Sequence, residues 1–163
     1  MAMTTHTLSQ KSIDWVQSLT QMNIDSRDGF KEASENLKDS NPSLANRFCQ
    51  WAASRDQQAT ELQAMVASNA ETPTTSGSFS AAAHRTWMDL RSALGGGDQA
   101  ILDEAERGED QIKAKYEEAL KDMGAHLQTL KRFGVSTEVT GERVLADGQK
   151  LQHIAYATLD AER

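Results

Sequence analysis

Two charged residues, Arg55 and Glu109, fall where the i, i+3, i+4 spacing of their neighbours demands an apolar side chain, and Asp25 stands at the edge of a third such stripe. An unpaired buried charge is very costly, whereas a hydrogen-bonded pair of opposite sign is tolerable. The spacing therefore predicts an Arg55–Glu109 pair, with Asp25 as a third member of a central polar layer. Such a layer can fix helix register, its best-attested use and the preferred reading here. The rival is a hard cation held by oxygen ligands, for which Asp25, Glu106 and Glu109 with His153 are candidates and His84 a further one. A di-iron centre in a helical bundle takes Glu-x-x-His from two helices. Three residues before His6, His84, His126 and His153 stand Met3, Ala81, Met123 and Lys150, so that motif does not occur. No Ser/His/Asp arrangement can be assigned, and Gly95-Gly96-Gly97 lacks the strand and the Lys-Ser/Thr of a phosphate loop. No catalytic residue and no cofactor are expected, with iron or manganese as the alternative, and the chain leans away from being an enzyme.

Long amphipathic stretches must position these side chains. The clearest runs from Asp98 to Phe133, with Leu102, Ile112, Tyr116, Met123, Leu127 and Leu130 on one seam. At 1.5 Å per residue it would extend roughly 50 Å. A first helix is predicted from near Thr7 or Ser9 to about Lys38, with Trp15, Leu19, Met22, Ser26, Gly29 and Ala33 as its seam, widened by Ile13, Val16, Phe30 and Leu37. Asn41-Pro42 opens a second, a capping side chain followed by proline at the first helical position, and that helix runs to about Ser68. A loop follows by composition (Ala67 to Ser80), then a short helix from Ser80 to Leu94 broken by the three glycines. The last helix is placed from Thr137 to Ala161. Together these predict one all-α domain over residues 1–163: a four-helix bundle whose second and third long helices are joined by a long helical crossover, residues 69–97.

Register and topology support each other. Arg55 lies 14 residues after Asn41, and Glu109 lies 11 after Asp98. Parallel second and third helices would bring the two charges to nearly the same height. Antiparallel ones would separate them by roughly 15 Å.

Composition excludes several roles. With 24 acidic against 17 basic residues the net charge is −7, which argues against phosphate-seeking nucleic-acid contacts and against polybasic lipid attachment. No apolar run is long enough to span a bilayer, and the start, MAMTTHTLSQ, does not read as a secretory signal. A single cysteine, Cys49, cannot build a disulfide framework. The expectation is a cytoplasmic protein with a reduced, partly buried thiol. The apolar start of the first helix (Ile13, Trp15, Val16, Leu19) suggests a homodimer, while any other protein partner is unknown.

Several short motifs occur in a set order. They are Asp25 with Gly29-Phe30, Arg55 with Glu61-Leu62, Ser76-Gly77-Ser78, and His84-Arg85 followed by Trp87. After them come Gly97-Asp98, Glu106-Arg107-Gly108-Glu109-Asp110 and Tyr116. This pattern resembles a family of small bacterial ferritin-like four-helix-bundle proteins of undefined biochemical function. The likeness covers Leu19 to Leu120 and fades beyond, where only His153 matches loosely. The resemblance implies a ferritin-like bundle, a dimer, a bacterial source and a stress-associated setting; it brings no established substrate.

Overall fold

The computed structural model of the chain describes residues 8–77, 89, 92–93 and 95–132. These form three long helices, α1 (Gln10–Leu37), α2 (Pro42–Ser68) and α3 (Asp98–Arg132), and no strand occurs among the described residues. The protein is all-helical over that span. The predicted fourth helix, Thr137 to Ala161, lies outside the described residues, as does most of the crossover helix, Ser80 to Leu94. Among the described residues no helix is long and apolar enough to cross a membrane.

Local chemistry sets the helix ends. The Ser9 hydroxyl accepts the Ser12 amide at 3.1 Å, and the Asn41 side chain accepts the Leu44 amide at 3.0 Å, each satisfying a backbone donor that the first turn leaves open. At the end of α2, Ala70 donates to the Ala67 carbonyl and Glu71 to that of Val66, a Schellman closure with Ala70 at φ 61. Buried Asn69 joins this end to the start of α1: its Oδ1 accepts the Leu8 amide at 2.9 Å, and its Nδ2 donates to the Met65 carbonyl at 2.9 Å.

α1 and α2 pack as an antiparallel pair joined by a tight turn, with Phe48 and Trp51 edge to face between them and the Phe30 ring tilted against both. α3 runs in the same direction as α2. At one end Asn41 donates to Asp98 at 2.6 Å, in the middle Arg55 meets Glu109, and farther along Met65 and Val66 share a core with Ala119 and Met123. Only a long connection can return the chain to start a parallel neighbour, which is the topology the two seam charges required.

The buried interior forms two apolar clusters. One gathers Val16 and Leu19 with Leu62, Val66, Tyr116 and Met123; the other gathers Phe30 and Leu37 with Phe48, Ala52, Ile101 and Ala105. In each helix the two sets are separated in sequence, and the gap falls at Asn23 in α1, at Arg55 and Gln58 in α2 and at Glu109 in α3. The polar layer lies in that gap.

Three expectations change. The seam of α1 is shifted toward one side: Ile13, Val16, Leu19, Gly29, Phe30, Ala33 and Leu37 are buried as expected, but Thr20, Asn23 and Ile24 join them, while Trp15, Met22 and Ser26 stand half-buried on the flank. Hence the apolar face offered for a homodimer is used within the chain. Ile13, Val16 and Leu19 are covered, and Trp15 Nε1 donates to Asp122 at 2.8 Å. Cys49 is exposed rather than partly buried, because it falls on the solvent side of α2 one position beyond Phe48.

Candidate functional site

Arg55 is the organising side chain of the layer. It sits one turn after Ala52 and one before Ala59 on the buried stripe of α2, so the helix carries its guanidinium into the interior. Only 5% of the side chain is exposed, and Nη2 forms an ion pair with Glu109 Oε2, itself 14% exposed. Nη1 donates to Gln58 Oε1 at 2.8 Å and, at a longer 3.4 Å, to Asn23 Oδ1. Asn23 passes the network on: its Nδ2 donates to Tyr116 Oη at 2.7 Å and to the Leu19 carbonyl at 2.8 Å. All three helices therefore contribute to one hydrogen-bonded unit. Burial pushes the Tyr116 phenol up to about 12, since the phenolate would be desolvated; the Asn23 bond and the Arg55 charge oppose this and Glu61 adds to it. Tyr116 is therefore neutral throughout the physiological range.

Glu109 is only half satisfied. Its Oε1 is buried and has no hydrogen-bond partner among the described residues. A carboxylate oxygen in that position is a strong acceptor in search of a proton donor or a cation.

Asp25 is half-buried and lies against Gly77 of the crossover, where an added Cβ would collide with its carboxylate. Glu106 is exposed on α3. His84 and His153 lie outside the described residues. No group of three or more His, Cys, Asp or Glu in position to hold a metal occurs among the described residues.

Asn23, Gln58 and the Tyr116 hydroxyl were not anticipated. Asn23 follows Val16 by seven residues and precedes Phe30 by seven, so a stripe phased on Val16 and Phe30 contains it. Gln58 is one turn beyond Arg55 and one before Leu62. A buried tyrosine hydroxyl needs a partner, and that need was itself the available signal.

Residues 11–122 match the family described as Domain of unknown function (DUF2383). The chain belongs to that family. The matched region takes in Asn23, Arg55, Gln58, Glu109 and Tyr116, the members of the polar layer among the described residues. A second family, described as Predicted periplasmic protein (DUF2092), matches residues 117–163, and the chain is similar to it over that segment alone. No curated protein and no solved structure matches this DUF2383 chain.

Proposed function

We propose that this DUF2383 protein is a non-catalytic, ferritin-like four-helix bundle of the bacterial cytoplasm, stress-associated, acting through helix contacts with a second copy or another protein. The observation that carries this reading is the Arg55–Glu109 pair. At mid-height, where a ferritin-like bundle keeps its metal, a guanidinium meets the carboxylate. A layer so filled fixes register, and it leaves the outer helix faces as the working surface. Cytoplasmic residence rests on cysteine usage, one thiol with no second to pair with. Fractionation of the source cell would move the protein to the periplasm if the C-terminal likeness reflects its address.

A second reading has its own observation. The unpartnered Glu109 Oε1 is an oxygen that a cation could satisfy, which favours a metal-binding carboxylate protein with an oxidase or carrier role. Elemental analysis of protein purified without chelator separates the two. Iron and manganese far below one equivalent are expected; a stoichiometric metal that disappears in Glu109→Ala would replace the first reading by the second.

A further inference from the structure

The side chain of Gln17 holds a piece of the crossover as a neighbouring strand would. Its Nε2 donates to the Thr72 carbonyl at 2.7 Å, and its Oε1 accepts the Thr74 amide at 2.8 Å. One primary amide thus bridges a carbonyl and an N–H two residues apart, the pairing that the N–H and C=O of one residue make with a parallel strand. The reverse orientation would set donor against donor, so the two bonds fix each other. From α2, Gln63 Nε2 donates to the Thr74 carbonyl at 2.8 Å. Both backbone groups of Thr74 are therefore held by side chains, one from each helix. Between the bridged residues stands Pro73, whose missing N–H the clamp does not need and whose ring presets the φ of an extended chain. Farther on, Gly77 is seated against Asp25.

These contacts differ in kind from those that pack the helices. They are hydrogen bonds to side-chain amides, exposed or partly buried, whereas α1 and α2 are joined through two buried apolar clusters. Segments held by few buried contacts open at lower free energy than the elements beneath them. We infer that residues 71–77 are a releasable strap, latched on the α1–α2 groove by Gln17 and Gln63, that opens and redocks as a unit while the helices stay packed. Opening removes Gly77 from the Asp25 carboxylate.

Amide hydrogen exchange on the full-length protein, followed by NMR, tests this. In the wild type the Thr74 amide is expected to exchange faster than those of Leu62 and Val66 in α2. Gln63→Ala leaves the acceptor of the Thr74 amide in place, yet it should accelerate that amide about tenfold, because the strap opens as one piece. Gln17→Ala should accelerate it at least as much, with Leu62 and Val66 unchanged in both variants. Gln57→Ala, on an exposed residue bonded to Glu61, should change none of them. Thr74 exchanging at the Leu62 rate in the wild type, or showing no acceleration in Gln63→Ala, overturns the strap.

Discussion

Arg55 and Glu109 weigh most among the described side chains, because they bring opposite charges together inside the protein. Truncating one partner of such a pair is far more damaging than replacing both. Arg55→Ala should therefore lose ~3–5 kcal/mol of stability in chemical denaturation, while the double replacement Arg55→Met with Glu109→Leu should recover most of that loss. A single variant that unfolds with the wild-type midpoint would take Arg55 out of the stabilising core. The Tyr116 hydroxyl makes a second prediction at this scale. Its folded value of about 12 lies above the ordinary 10.0, so in the interval between them the unfolded chain has released a proton that the folded chain retains. Stability from this group falls as pH rises through that window and is unaffected below it. A phenolate absorbance titration should show one tyrosine ionising late, and Tyr116→Phe should remove that late step. At this scale the sequence was legible where a residue violated its stripe outright. Arg55 and Glu109 announce themselves as charges on apolar seams, whereas Asn23 is small enough to pass as an edge residue. The hydroxyl of Tyr116 is hidden inside an aromatic that fits the seam.

At the scale of the element, helix ends were easier to read than helix faces. Asn41-Pro42 marks its boundary through local hydrogen bonding, which the chain decides within a turn, and Asp98 stands in the first turn of α3 as expected. The phase of the α1 seam depends instead on where α2 and α3 lie. Trp15 looks like a core residue until a partner at Asp122 draws its indole to the rim of the bundle. The same logic exposes Cys49, since Phe48 takes the inward position beside it. The end of α2 yields a prediction of its own. The Schellman closure places Ala70 at φ 61, in the left-handed region where a Cβ crowds the carbonyl, and glycine is the residue that occupies it without strain. Ala70 is exposed, so nothing in the packing opposes the change. Ala70→Gly should raise stability by ~0.5–1 kcal/mol despite the added freedom of the unfolded chain. A lower melting temperature for that variant would contradict the closure.

For the whole molecule, the parallel course of α2 and α3 could be read from the sequence because two buried charges far apart in the chain had to meet, and a long connection existed to let them. Surface behaviour is less legible, since it depends on which faces the interior leaves over. The face proposed for self-association illustrates this, being covered by α3. A dimer must therefore use other residues, and its assembly must overcome the charge of the molecule. Each copy has a net charge of −7, and two such copies repel over distances that salt shortens to about 8 Å at physiological ionic strength. Self-association through helix faces should accordingly strengthen as salt is raised from millimolar to physiological. Light scattering over a concentration series should then show the mass rising from 17.9 kDa toward twice that value, earlier in the series at the higher salt. A mass fixed at the monomer value under both conditions would exclude the second copy and leave a different protein as the partner of the bundle.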